Sequence, residues 1–373
     1  MISAFSVSLM ILAYTYVGYP LVITMLAWLF PRQSRAVERE DVPMVSALIP
    51  VFNGEAFIQE KLDSLLMQDY PSDKLEILIC SDCSSDRTDE LLDACARANP
   101  EKVKVFRMDT RTGKPGILNR LRREARGDVL LMTDIRQPLD RKCLAHLVAG
   151  LADPGVGVAG GQLLLRGKTG AGLYWKYENR IRLSESAFRG VTGVSGSLYV
   201  IAATDMRDLP EDIILDDVWV PSLQLLQGRR VILVPESIAW DQAMPDSREF
   251  ARKIRTLAGN YQLISRLPAL LLPWRNPVWF EFMSHKLLRL VCPWALVALL
   301  FSSAFLSFDA RQPDFLRVTA GILLAGQVVF YLLSFLGEKA GRLGRLARTF
   351  VVLNAAAVMG LWRHLRGAQK IAW

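Results

Sequence analysis

The sequence predicts an α/β domain on a mostly parallel sheet, flanked by transmembrane and interfacial helices. Three observations predict it. From Val42 onward, short apolar runs alternate regularly with amphipathic helical stretches, the pattern of a parallel sheet covered on both faces. Both ends of the 373-residue chain carry apolar stretches long enough to cross a bilayer, which takes roughly 20 residues. The composition, 51% apolar, is high for a wholly soluble protein and low for a polytopic carrier.

The elements follow in order. Ser3 to Phe30 is uncharged and lacks a basic leader and a small-residue cleavage site, so it reads as a retained span. Tyr14, Tyr16, Tyr19 and Pro20 within it predict a face packed on other helices. Arg32, Arg35 and Arg39 follow the span, which places the middle of the chain in the cytoplasm. "MVSALIPVF" (44–52), "LEILICS" (75–81), "VKVFRM" (103–108), "DVLLMT" (128–133) and "VGVAGGQLLL" (156–165) read as strands. Residues 55–68, 86–97, 116–125 and 143–151 read as the helices between them, with Ile58, Leu62, Leu65 and Leu66 at helical spacing.

Toward the other end, 287–308 and 315–337 read as spans, and 350–362 as a weaker segment that does not cross. A crossing would put Arg363, Arg366 and Lys370 outside, against the bias of basic residues toward the cytoplasm. The net charge is +8, and from Asp309 onward nine Lys/Arg face three Asp/Glu. The positive charge therefore suits anionic lipid, and a nucleic-acid partner is not expected. Between the two regions, 263–290 mixes aliphatics, Trp274, Trp279 and basic residues broken by prolines, a composition of interfacial helices. The resulting division is a first span (1–31), an α/β domain (42–266), interfacial helices (267–286) and a C-terminal membrane region (287–373).

Five cysteines in a cytoplasmic context predict no disulfide framework. Cys80 and Cys83 have CxxC spacing but lack a second pair, and read as small residues at a strand end. His146, His285 and His364 are too scattered for a metal set. Neither GxGxxG nor a Walker loop follows a strand, which disfavours dinucleotide redox chemistry and P-loop hydrolysis. "GVSGS" (193–197) has nucleophile-elbow spacing but follows a turn-rich stretch instead of a strand.

Parallel sheets bind ligands beyond the carboxyl ends of their strands. Those ends read Pro50-Val51-Phe52-Asn53, Ser81-Asp82-Cys83-Ser84 and Thr133-Asp134-Ile135-Arg136. One such Asp is ordinarily a turn or cap residue; two at neighbouring ends make a candidate site, though spacing alone leaves their convergence open. Asp216-Asp217, ahead of "VWVPSLQLLQ", supplies a second acidic pair, which as a helix cap contributes roughly 0.3–1 kcal/mol.

Taken in order, these motifs resemble the family 2 glycosyltransferases and their GT-A fold, over about Val42 to Arg266. The resemblance implies that Pro50, Asn53 and Glu55 of "SALIPVFNGE" border the nucleotide. Asp82 of "EILICSDCSSDRTDELL" falls where the family contacts the base. Lys114 and Asn119 of "GKPGILNRL" fall beside the donor. "MTDIRQPLD" falls on the DxD segment, with Asp134 in the first position and Arg136 in the second. "GVSGSLYVI", with Ser197, is similar to the acceptor-side strand. Asp217 matches the family's base, next to Asp216. Arg252, Lys253 and Arg255 lie where the family reaches the diphosphate and acceptor, with Thr256 in place of the usual Trp.

What the resemblance implies is transfer of a sugar from a nucleotide-diphosphate sugar, UDP-sugar by family bias, with inversion. The acceptor would be a membrane-associated lipid-linked sugar or polysaccharide, handled by a plasma-membrane enzyme of a bacterial cell envelope with its catalytic domain in the cytoplasm. A processive synthase and a non-catalytic membrane partner of such enzymes are the alternatives. The leaving diphosphate calls for a divalent cation, Mg²⁺ or Mn²⁺, or fixed cationic side chains. Arg136 cannot ligate a metal, so Asp134 is expected to hold it alone, with altered metal dependence. Protein partners are not legible.

Overall fold

The structure, a computed structural model, describes residues 1–32, 41–166, 172–242 and 246–367. Arg35, Arg39 and Lys370, which helped to orient the chain, lie outside the described residues. The first apolar stretch is one rod: α1 (Ile2–Ala13), a π-helical turn at Tyr14–Gly18, and α2 (Tyr19–Leu29). Pro20 has no N–H to return to the preceding turn, a cause of such local widening. The turn presents the tyrosines to neighbours. Tyr14 Oη lies 2.8 Å from Ser284 Oγ, and the fully buried Tyr19 donates to Glu185.

The domain then runs β1 (Val45–Val51), α3 (Ile58–Leu66), β2 (Leu75–Ser81), α4 (Thr88–Ala98), β3 (Val103–Arg107), α5 (Gly113–Glu124), β4 (Val129–Met132) and α6 (Cys143–Leu151). It continues with β5 (Val156–Arg166), α7 (Gly172–Phe188), β6 (Tyr199–Ala202), α8 (Asp216–Leu226), β7 (Arg230–Gln242) and α9 (Asp246–Arg266). The sheet order is β3-β2-β1-β4-β6-β5-β7. Every residue of β1 and β2 is buried, which is why these strands read as mostly apolar runs, with Ser46 and Glu76 bonded to each other inside. Short β6 is antiparallel to both β4 and β5; the other pairings are parallel.

One face of the sheet packs on α3, α4 and α6 through Leu62, Leu92 and Leu147. The other packs on α5 and α8 through Leu118 and Val218, and its core continues to Val278 and Phe282 at the membrane end. The chain leaves β1 toward β2 and β3 and later returns to β4 on β1's other side. The carboxyl ends of β1 and β4 therefore flank a crevice of the kind in which open sheets bind ligands.

At the membrane end a short turn at Pro268–Leu271 precedes α10 (Trp279–Glu281), a π-helical turn at Phe282–Leu287, α11 (Leu288–Phe308), α12 (Asp314–Leu336) and α13 (Gly341–Leu365). The rod is continuous from Trp279 to Phe308, so 279–286 joins the span instead of lying apart from it as an interfacial helix. Among the described residues, three stretches are long and apolar enough to cross a membrane: Ile2–Leu29, Trp279–Phe308 and Asp314–Leu365. Within the third, Gly337 and Gly341 take φ of 54° and 64°, a backbone that suits glycine and separates α13 from α12. Phe350 of α13 packs on Tyr16 and Phe330, and His364 stacks on Tyr261 of α9. The last turns of α13 thus rest on α9 of the α/β domain.

Candidate active site

The site begins at the start of α5. Gly113 has φ 73° and turns the chain so that Lys114 enters the crevice. The N–H groups of Thr112 and Gly113 donate to Asp82 Oδ1 at 2.8 Å and Oδ2 at 3.0 Å. Asp82 is fully buried. Expected to meet the base, it holds the N-terminus of α5 through both carboxylate oxygens.

Lys114 Nζ lies 2.9 Å from Asp134 Oδ1 and 3.2 Å from Asp216 Oδ1. These side chains come from the turn after β4 and the start of α8, so three sequence-predicted residues do converge. Burial alone would depress the lysine's pKa, but Asp134, Asp216 and Asp217 together raise it, and Lys114 stays a cation. Asp216 is pushed up to about 6 by burial, against the Lys114 charge and with the help of Asp217 and Asp134. Its Oδ2 is buried without a hydrogen-bond partner among the described residues. Asp217, next along α8, is partly exposed and accepts from Gly196 N at 3.1 Å. A Cβ on Gly196 would stand 3.0 Å from Lys114 Nζ and 3.3 Å from Asp217 Oδ2, so a larger residue there would press on both.

Arg136 Nη2 lies 2.7 Å from Asp241 Oδ2, and the Asp241 side chain is 2% exposed. The Arg136 cation is therefore paired with a buried acid from β7. Beneath the same turn, fully buried Lys61 donates to Thr133 Oγ1 and to the Gln137 carbonyl, each at 2.6 Å. Thr133 Oγ1 in turn donates to the Ser197 carbonyl at 2.7 Å. Burial pulls Lys61 down to about 7, against the charges of Asp134 and Cys143. Ser197 is buried, and its hydroxyl meets Ser195 Oγ at 2.7 Å. It supports the turn.

Other expected donor contacts act as braces. Asn53, at φ 50°, accepts from Ser85 N through Oδ1 at 2.8 Å, and Glu55 Oε2 accepts from Arg87 N at 2.9 Å. These bonds tie the turn after β1 to the turn after β2. Asn119 donates to the Leu209 carbonyl and accepts from the Leu209 N–H, at 2.9 and 2.7 Å. Both ends of its amide bond that one peptide. Pro50 is buried within β1. Arg252, Lys253 and Arg255 sit on α9, a different element from the lysine–carboxylate centre.

Sequence reading missed Lys61 and Asp241. A signal for Lys61 was present, since it shares the apolar stripe of Ile58, Leu62 and Leu65. Asp241 carried none, because its role depends on a strand pairing distant in sequence.

Among the described residues no group of three or more His, Cys, Asp or Glu side chains forms a metal cage. Asp134 and the unpartnered oxygen of Asp216 fit a divalent cation shared with a bound diphosphate, which would supply its remaining ligands. They do not fit a cation caged by protein alone.

Residues 46–201 match the model of Glycosyl transferase family 2. The poly(ribitol-phosphate) beta-N-acetylglucosaminyltransferase TarS of Staphylococcus aureus is 30% identical over 105 residues, 28% of this chain and 18% of that protein. An N-acetylglucosaminyltransferase of Rhizobium leguminosarum bv. viciae is 26% identical over 226 residues, 55% of this chain and 53% of that protein. The chain thus spans less than two thirds of the length of these curated relatives. The mannosyltransferase PcManGT of Pyrobaculum calidifontis, solved with GDP-Man and Mn²⁺, superposes with a TM-score of 0.77 at 24% identity, covering 98% of this chain and 100% of that one. That likeness establishes the fold, a GT-A type α/β domain with its helical membrane end.

Proposed function

We propose, from the premise that this chain carries a family 2 glycosyltransferase domain of GT-A fold, that it transfers a sugar with inversion. The donor is a nucleotide-diphosphate sugar, UDP-sugar in preference, and the acceptor is a membrane-associated lipid-linked sugar or polysaccharide. The observation that carries this reading is Lys114 held between Asp134 and Asp216 with Asp217 open beside them. Lys114 offsets charge building on the leaving diphosphate, an effect that is strongest in a water-poor site. Asp216 and Asp134 fix its ammonium. Asp217 accepts the proton of the attacking hydroxyl. The new bond forms at the anomeric carbon as its bond to the diphosphate breaks, and the nucleoside diphosphate leaves. A divalent cation at Asp134, when bound, adds positive charge at those phosphates.

In this reading the cation and phosphates occupy the crevice between β1 and β4, over Pro50, Asn53, Glu55, Asp82 and Asn119 as its frame. Arg136 and the α9 cations Arg252, Lys253 and Arg255 act at its edge. The domain lies at the cytoplasmic face of a bacterial plasma membrane, with its mouth toward the helices. The intact set of Asp134, Lys114, Asp216 and Asp217 favours catalysis over a non-catalytic partner role.

The test uses purified protein in detergent with a panel of nucleotide sugars, with Mg²⁺, Mn²⁺ or EDTA. Asp217→Asn is expected to lower turnover by about 10²–10⁴-fold. If every donor gives the same null as that variant, while a known family member works alongside, the catalytic reading fails. Product length separates single addition from processive synthesis.

A further inference from the structure

A cavity of about 310 Å³ lies between the α/β domain and the helical end. Its walls include Tyr16 of the first span, Arg182 of α7, Lys286 and Arg289 of the rod leading into α11, and Phe350 of α13. Gly193 and Val194 form the wall nearest the proposed chemistry, since Val194 N donates to the Asp217 carbonyl at 3.0 Å. Lys286 Nζ stands 3.5 Å from where a Cβ on Gly193 would sit.

Among the described residues, not every charged side chain along this cavity has an ion-pair partner. Glu178 and Glu185 are both answered within the cluster. His285 lies 2.8 Å from Glu178 and 2.7 Å from Glu185, and Arg289 pairs with Glu178 at 2.5 Å. Arg182 donates to the Gly193 carbonyl at 3.0 Å, and among the described residues neither it nor Lys286 has a carboxylate within ion-pair distance. Both cations therefore stand near Asp217 without an ion-pair contact. Asn260 and Asn354, also on the lining, keep buried carbonyl oxygens without partners, and unmet buried acceptors call for donors.

We propose that this cavity receives the acceptor, and that its occupant is a phosphate-bearing lipid headgroup whose phosphate is held by Lys286 and Arg182 beside Asp217. The inference rests on the glycosyltransferase reading above and adds the acceptor's chemical class. Two cations without a carboxylate partner among the described residues suit a lipid phosphate in charge and donor chemistry. The asparagine oxygens suit hydroxyl groups of an attached sugar. Three walls come from the membrane-end helices, so a ligand with an apolar tail reaches the cavity while the tail stays in lipid. Lys286 then sets specificity from within a spanning rod, where an ionisable side chain marks a functional path.

The test is direct binding to the full chain in detergent micelles, with farnesyl phosphate, farnesol and inorganic phosphate as probes and nucleotide binding measured on the same samples. Farnesyl phosphate is expected to bind at least 10-fold more tightly than farnesol. Lys286→Gln and Arg182→Gln should each lower that affinity by about 10-fold while nucleotide binding holds, and Lys286→Arg should retain most of it. Equal binding of farnesol and farnesyl phosphate overturns the inference, as does undiminished binding by both Gln variants. Inorganic phosphate that binds as tightly as farnesyl phosphate overturns the lipid source. Wild-type protein that binds nucleotide without preferring the phosphate lipid sinks this inference alone. Protein that binds no nucleotide sinks the parent reading with it.

Discussion

Arg136→Asp sets a second carboxylate two residues after Asp134, and the geometry predicts a cost. Arg136 meets Asp241 at 2.7 Å, with exposures of 23% and 2%. The variant leaves a buried carboxylate without its cation and sets a second one facing it. Breaking a buried pair from one side costs roughly 3–5 kcal/mol. In a domain of this size each kcal/mol moves Tm by about 2–4 °C, so a fall on the order of 6–20 °C is expected. The exchange Arg136→Asp/Asp241→Arg keeps both charges in the pair and should recover more than half of the loss. Both are read by thermal melts in detergent, followed by turnover against Mn²⁺ concentration for variants that remain folded. A single variant that melts within about 2 °C of wild type refutes the reasoning, as does an exchange no better than the single change.

Other outcomes follow from the same geometry. Asp216, with its carboxyl raised to about 6, should lose its hold on Lys114 below that pH, so kcat/KM should fall along an acid limb near 6 that Asp216→Asn lacks. The sign for stability is the reverse: the folded form keeps this proton where the unfolded chain releases it, so that contribution is full below the ordinary aspartate value of 3.8 and lost as pH rises through 6. Lys61, lowered from 10.5 to about 7, is neutral in the folded chain where the unfolded chain binds a proton. Stability should therefore rise with pH across that window, and Lys61→Met should flatten the rise in pH-dependent denaturation while unsettling the Thr133–Gln137 turn by about 1–3 kcal/mol per unmet acceptor. A Cβ at Gly360 would come within 2.9 Å of Ala258 N, so Gly360→Leu should lift α13 from α9 and expose it to limited proteolysis, with nucleotide binding unchanged.

The elements that were legible share one property: their signal is local. β1 and β2 are buried along their whole length and read as apolar runs, and α3 shows its stripe at helical spacing. The lysine and carboxylates of the centre were named from motifs, because each sits where a strand ends or a helix begins. What could not be read was which atoms would be occupied. Asp82, Asn53, Glu55 and Asn119 look like ligand contacts in a linear motif, yet each closes on a backbone group 30 to 90 residues away. The partnership of Arg136 with Asp241, 105 residues on, belongs to the same class. So does His285, set between two glutamates of α7, which as an isolated histidine in the sequence pointed nowhere.

The seam between the first span and the second has a consequence for how the chain is made. Tyr14 finds Ser284 across 270 residues, and Tyr19 finds Glu185 across 166. At about 5–20 residues per second of synthesis, the first contact waits on the order of 15–55 s after its tyrosine is made. For that interval the first span sits in lipid with polar hydroxyls unmatched, while the whole catalytic domain emerges behind it.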